Sequence, residues 1–292
     1  MRSWPQVYGK MGKLNRLPEI EQRLLRMSVQ HSVYVIFGLH PSNWAGRTPW
    51  EHVATGALVR FRQRPCVVTD AHIIRAFEHA WEQDSSVTFQ IGGARLFFLD
   101  VQRRMHSLSE ASDLAVIDAT GIEPDVTEGQ DEVSGPTFYE PSAWPPGDIL
   151  EGDVLFFGGY RDRGRSTMNH VLHHLYTYSN LSVIVTDVYP DRFKCKFDRT
   201  GWTDALNPDD QSGVAEGDFS GLSGAPIFRL WTAAEREEYR GREFPLAMFP
   251  TDQHPPDLVG FVMEHSPQQD MLVASVSVNI KSDGTLWPNT KR

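Results

Sequence analysis

The chain has 292 residues, of which 40 % are hydrophobic and 23 % charged, a balance that excludes a disordered or collagen-like polymer. Its 28 Lys and Arg stand against 38 Asp and Glu for a formal charge of −10. That balance argues against partners held by phosphate neutralisation, so no direct nucleic-acid partner is expected. No apolar run reaches the ~18–20 residues that cross a bilayer, and the first twenty residues hold no hydrophobic signal core, so neither a membrane anchor nor a secretory signal is expected. The two cysteines, Cys66 and Cys195, are too few for the disulfide framework of a small secreted scaffold. A reducing, cytoplasmic setting with two buried free thiols is the expectation, and a mutual disulfide the alternative.

Residues Leu17 to Val29 place Leu17, Ile20, Leu24, Leu25 and Met27 at near-helical spacing, which predicts a helical leader within residues 1–31. From Ser32 the pattern turns to short β-branched and aromatic runs: SVYVIFGL, ATGALVRF, PCVVTDAH, SVTFQIGG, RLFFLDVQ and DLAVIDA. They read as closely spaced antiparallel strands. Ile73, Ile74, Phe77 and Trp81 interrupt them at helix spacing, so a strand hands over to a helix at His72. Residues 120–135, TGIEPDVTEGQDEVSG, are acidic and poor in large apolar side chains, which marks a surface connection. Strand-like runs then resume with DVLFFGGY, HHLYTYSNLSVIVTDV, RFKCKFD, GAPIFRL, LVGFVMEH and MLVASVSV. The segments NPDDQSGVAEG (207–217) and 250–256 read as loops. Two β-barrels or one long β-sandwich fit this succession.

Three segments put a reactive side chain at the end of a predicted strand, where loops and not core packing set its surroundings. They are VVTDAH with His72, DLAVI with Asp113 and GLSGAP with Ser223. A serine hydroxyl is a poor nucleophile near neutral pH. It needs a histidine to take its proton, and the histidine needs a carboxylate to fix its tautomer. Gly221 and Gly224 allow a sharp turn around the serine that aims backbone N–H groups at a developing oxyanion.

These residues resemble the chymotrypsin/trypsin-like serine proteases, especially their bacterial, disulfide-free members such as the HtrA-like enzymes, over roughly Ser32 to Val278. Thr69, Asp70, Ala71 and His72 match the family's T-A-A-H except at Asp70. Asp113 to Val116 reproduce its D-[IL]-A-[LV], and Gly221 to Pro226 match G-[DN]-S-G-G-P at four of six places. The order His, Asp, Ser also fits this clan and not the subtilisin or α/β-hydrolase orders. The resemblance implies His72 as general base, Asp113 as orienting carboxylate and Ser223 as nucleophile, with the backbone N–H groups of Gly221 and Ser223 as the oxyanion hole. It implies an all-β chymotrypsin-like double barrel of two antiparallel six-stranded β-barrels, with an N-terminal helix and a short helical insert. The expected layout is a leader at 1–31, a first barrel at 32–125 with His72 and Asp113, a connection at 126–145 and a second barrel at 146–292 with Ser223.

Ala54, Thr55 and Gly56 resemble a G-[ST]-G turn ahead of the ALVRF strand. Gly217, six residues before the serine, Asp218 next to it, and Met263, Glu264 and His265 correspond to the substrate pocket. Gly217 argues against an acidic pocket floor, and a one-residue shift to Asp218 would reverse that. Two departures stand out. Leu222 replaces an acidic residue, so activation by an ion pair to a new N-terminus is not expected, and Ala225 puts a methyl group where it could crowd the turn.

Rival candidates are weaker. Ser220 lacks the following G-A-P, Asp118 falls at a strand end, and His106 is expected on the surface. His170, His173 and His174 form an H-x-x-H-H cluster with no cysteine or acidic partner to complete a metal spacing. The aromatic content of 11 % is what packed barrels require. No glycine loop has the lysine and hydroxyl of a nucleotide site. Neither metal nor cofactor is expected.

Two readings of function remain open. One is an intracellular, regulated serine endopeptidase that forms an acyl-enzyme on a protein or peptide substrate and answers to a regulatory protein partner. The other is a trypsin-like fold without turnover that binds proteins as a scaffold. An esterase on the same fold shares the triad and differs only in substrate.

Overall fold

Alternation of side chains across a strand lets one run serve two surfaces. The first run does so: β1 (Ser32–Leu39) is buried at every position. Val33, Val35, Phe37 and Leu39 face one core, while Tyr34 and Ile36 face the other way and meet Val53 and Tyr160. The computed structural model describes residues 23–24, 26–27, 29–39, 50–92, 97–127, 136–160, 166–168, 171–174, 177–197, 202–204, 221–240, 249–251, 255–266 and 271–287.

The first sheet continues with β2 (Trp50–Phe61), β3 (Arg64–Thr69), β4 (Val87–Gly92), β5 (Phe97–Phe98), β6 (Met105–Ser109) and β7 (Leu114–Asp118). Its antiparallel order is β5-β4-β1-β2-β3-β7-β6. Helix α1 (Ala71–Gln83) follows β3 and buries Ala71, Ile73, Ile74 and Phe77; of the predicted apolar stripe Ile73, Ile74, Phe77 and Trp81, Trp81 alone stays out, 40 % exposed.

The second half supplies β8 (Val154–Tyr160), β9 (Ser166–Met168), β10 (Val171–His174), β11 (Thr177–Val188), β12 (Arg192–Phe197), β13 (Trp202–Asp204), β14 (Pro226–Trp231), β15 (Leu258–Ser266) and β16 (Met271–Val276). The sheet runs β12-β16-β15-β14-β8-β11-β13, and a further pairing of β11 with β12 closes its first six strands into a barrel. β9 and β10 pair separately. Together the two sheets make a chymotrypsin-like double barrel.

Closure differs from expectation in the first sheet. Among the described residues no pairing joins β5 to β6, so this sheet is a curled half-barrel of seven strands and not a closed ring of six. Its β5 edge pairs over only two residues. The β6 edge is covered by the C-terminal segment, where Leu286 N–H donates to Ser107 Oγ at 3.0 Å and His106 Nε2 to the Asp283 carbonyl at 3.2 Å.

Each sheet has its own interior, and a third core lies between them. Val59, Phe61, Val68 and Val116 of the first sheet meet Phe156, Phe228, Trp231 and Phe261 of the second. The Phe156 and Phe228 rings stack there at 5.5 Å, and truncating either to alanine costs roughly 3–5 kcal/mol. The described positions of residues 23–30 are helical, and Leu24, Met27 and Val29 bury in this same core. Residues 17–22 of the predicted leader lie outside the described residues.

Candidate active site

Pairing of β3 with β7 sets Thr69 opposite Ala115, so the residues just beyond those strand ends, His72 and Asp113, come together. Asp113 adopts the left-handed region at φ 48°, which aspartate tolerates better than most side chains. That conformation turns the residue back on α1. Ala71 N–H donates to the Asp113 carbonyl at 3.2 Å and His72 N–H to Asp113 Oδ1 at 2.9 Å. Asp113 therefore satisfies two of the orphan donors at the start of α1 from outside the helix.

Its second carboxylate oxygen meets the ring. His72 Nδ1 lies 2.7 Å from Asp113 Oδ2. With the proton on Nδ1 and shared with that carboxylate, Nε2 is the ring's acceptor. The His72 side chain is 48 % exposed and that of Asp113 21 %, so the base is open to a ligand while its orienting partner is sheltered.

The GLSGAP turn approaches from the second sheet. Gly221 and Gly224 have φ of 93° and 85°, and Ala225 N–H closes the turn on the Leu222 carbonyl at 2.9 Å. A Cβ on Gly224 would stand 2.2 Å from the Thr55 carbonyl oxygen and 2.8 Å from Thr69 Oγ1, so both the dihedral and the space demand glycine. Thr55 ties the turn down: its N–H donates to the Ser223 carbonyl at 2.9 Å and its Oγ1 to the Gly221 carbonyl at 2.8 Å. The A-T-G segment is thus no turn, as its resemblance suggested, but the middle of β2, where a buried threonine bonds across to the second sheet.

Ser223 Oγ donates to the Met263 carbonyl at 3.3 Å, and no hydrogen bond joins it to His72 among the described residues. Met263 owes that role to a register shift between Val262 and Glu264 in the β15–β16 pairing, a bulge that turns its carbonyl out of the ladder. The backbone N–H groups of Gly221 and Ser223 donate to no acceptor among the described residues. An oxyanion hole requires such uncommitted donors.

The two departures at this turn have a packing explanation. Leu222 is buried inside the second barrel, a place that suits an apolar side chain and not a free carboxylate. The Ala225 methyl faces Gly159, where an added Cβ would lie 3.0 Å from it, so the absent side chain of Gly159 leaves room for the methyl.

Of the pocket positions, Met263 is half-buried and Glu264 exposed. Gly217, Asp218 and the His265 side chain lie outside the described residues, as do Ser220, His170 and the side chains of His173 and His174. Asp118 accepts from Thr120 N–H at 2.7 Å at the end of β7, and His106 meets Arg64 Nη1 at 2.8 Å beside β6. Neither approaches His72. Cys66 and Cys195 are free and buried.

Asp70 is the residue to which the sequence assigned no role. It is fully buried, and its Oδ2 lies 3.9 Å from His72 Nδ1. As N-cap of α1 it would ordinarily bond the first turn, but its side chain makes no cap bond, and Asp113 takes the Ala71 and His72 N–H groups instead. Burial pushes its carboxyl well above the usual carboxylate range and the neighbouring Asp113 charge pushes the same way, while the Ser223 hydroxyl and Gly224 N–H pull back. Those two donors are committed elsewhere, to the Met263 and Val262 carbonyls, so neither Asp70 oxygen has a hydrogen-bond partner. The one sequence signal was its departure from the T-A-A-H pattern.

No family model matches the chain and no curated protein matches it in sequence. Among solved structures it is similar to the Rv3671c protease from M. tuberculosis in its active form, at 13 % identity and a TM-score of 0.41, covering 89 % of this chain and 81 % of that one. It is similar also to Deg5, at 13 % identity and a TM-score of 0.46 over 90 % of this chain and 91 % of that one. The inactive form of the Rv3671c protease aligns at 12 % identity and a TM-score of 0.41, over 89 % of each chain. The fold assignment rests on the strand order and barrel closure of this chain itself.

Proposed function

We propose that this chain is a serine endopeptidase in which His72, Asp113 and Ser223 act as base, orienting carboxylate and nucleophile. The observation that carries the reading is the 2.7 Å contact of His72 Nδ1 with Asp113 Oδ2, formed where the GLSGAP turn meets β2 and β3. Ser223 Oγ swings from the Met263 carbonyl toward His72 Nε2, passes its proton to that nitrogen and attacks a peptide carbonyl carbon. The carbonyl oxygen takes the negative charge and is held by the Gly221 and Ser223 N–H groups. Imidazolium then returns the proton to the leaving amine, and a water deprotonated by His72 releases the acyl group. Buried free thiols at Cys66 and Cys195 support a reducing, intracellular setting, and a protein or peptide is the substrate class.

A fluorophosphonate probe tests this without knowledge of the substrate. Intact-mass spectrometry is expected to give one adduct on the wild-type chain and none on Ser223→Ala. One observation favours the second reading, a scaffold without turnover: the Ser223 hydroxyl is bonded to Met263 and not to His72. A folded wild-type protein that takes no adduct would select it.

A further inference from the structure

A serine hydrolase needs one carboxylate beside its histidine, and this chain has two. Asp113 carries out every task that the base requires, yet Asp70 faces the same ring nitrogen from the buried side. Burial favours its neutral form, because an ionised carboxylate with no partner in a dry site is costly; a cation would let it ionise, and the described residues offer none that is free. Its nearest basic group, His72, is already paired.

The donor atoms of Asp70, His72 and Asp113 all lie within 4.8 Å of one another. Two of the separations, 2.7 and 3.9 Å from His72 Nδ1, bracket the roughly 3.3 Å between donors that sit about 2.0–2.1 Å from a tetrahedral ion. One imidazole nitrogen and two carboxylate oxygens suit a borderline divalent ion; on binding, Asp70 gives up its proton to solvent, and the two carboxylates then balance the ion's charge. The fully buried, unpartnered Asp70 separates this cluster from an ordinary group of surface acids, and half-exposed His72 gives the entry path.

We propose that Asp70, His72 and Asp113 form an inhibitory site for a divalent transition-metal ion, with Zn²⁺ the best fit. The proposal rests on the hydrolase reading for its consequence but not for its chemistry. An ion on Nδ1 requires the imidazole proton to sit on Nε2, so the ring can no longer accept the proton of Ser223. It also takes Asp113 away from the orienting bond. The metal thus holds the base in the wrong tautomer, and removing it restores the base.

Calorimetric titration of Zn²⁺ into chelator-stripped full-length protein, with Co²⁺ absorption as a second measurement, reads the site directly. Wild type is expected to bind at least ~10-fold more tightly than Asp70→Asn or His72→Ala, and Co²⁺ to give the visible bands of a four-coordinate nitrogen–oxygen site. Zn²⁺ is expected to slow fluorophosphonate labelling of wild type at least ~10-fold, with reversal by EDTA, and Asp70→Asn is referred to its own rate without metal. Equal Zn²⁺ affinity in wild type and Asp70→Asn, or no binding, overturns the proposal while leaving the hydrolase reading untouched. Asp70-dependent binding by a protein that never takes the probe upholds the metal site and sinks the hydrolase reading. If Asp70→Asn loses its near-ultraviolet dichroism and is unfolded, the Co²⁺ spectrum of wild type decides, and octahedral-type weak absorption alone overturns the site.

Discussion

The two sides of the candidate site are built to different standards of fixity. On the first sheet, three contacts hold Asp113 against the start of α1 and the ring of His72, and the left-handed backbone of Asp113 admits little adjustment. On the second, the main chain of the GLSGAP turn is equally well tied through Thr55, but the hydroxyl it presents is bonded to a carbonyl of β15. The His72 ring is oriented by a carboxylate that is itself tied to the backbone; the Ser223 hydroxyl is oriented by one side-chain torsion. On the proposed reading, the step that brings Ser223 to His72 is a change of rotamer at the expense of a single 3.3 Å bond.

Substitutions on either side test that contrast. Ser223→Ala has the largest expected effect, complete loss of the probe adduct with an unchanged melting curve; a persistent adduct would move the nucleophile elsewhere. Asp113→Asn is expected to slow labelling by about 10³–10⁴-fold, because an amide holds the wrong tautomer of His72. A loss below tenfold would show that Asp113 only caps the helix. Gly224→Ala places a methyl group against the Thr55 carbonyl at positive φ, and urea unfolding is expected to show a loss of more than ~3 kcal/mol. Thr55→Val keeps the shape and strands the Gly221 carbonyl and the Tyr160 N–H, for an expected loss of about 1–3 kcal/mol. A neutral result there would mean that the turn is held by main chain alone. The smallest effect concerns the cores beneath both sides. Burial pushes the Cys66 thiol up to about 12, so about one thiol in 10⁴ is ionised at pH 8, and a thiol reagent is expected to modify neither cysteine until the protein unfolds.

The sequence made the strands legible because their signal is local. SVYVIFGL became β1 residue for residue, and the switch from strand to helix at His72 falls within a residue of the observed start of α1. What it hid is set by distant partners. Barrel closure depends on pairings such as β11 with β12, and nothing in the spacing of the first seven strands reveals that their edges stay apart. The sequence offers Met263 only as a pocket candidate; its carbonyl contact with Ser223 depends on a bulge against β16. Asp70 shows in the sequence only as a departure from T-A-A-H; that it stands at the start of α1 while a second aspartate, 43 positions later in the chain, takes the helix's first donors is visible only in three dimensions.

The core shared by the two sheets also sets the order in which the parts of the candidate site can be assembled during synthesis. A ribosome releases the first sheet with the apolar face of Val59, Phe61, Val68 and Val116 uncovered, and the aromatic residues that cover it, Phe156 and Phe228 among them, emerge later. The GLSGAP turn leaves in the same late stretch as β14. A chain still in synthesis therefore carries His72 and Asp113 without Ser223, and a message cut short before that point yields a fragment with an open hydrophobic face and half of the candidate site.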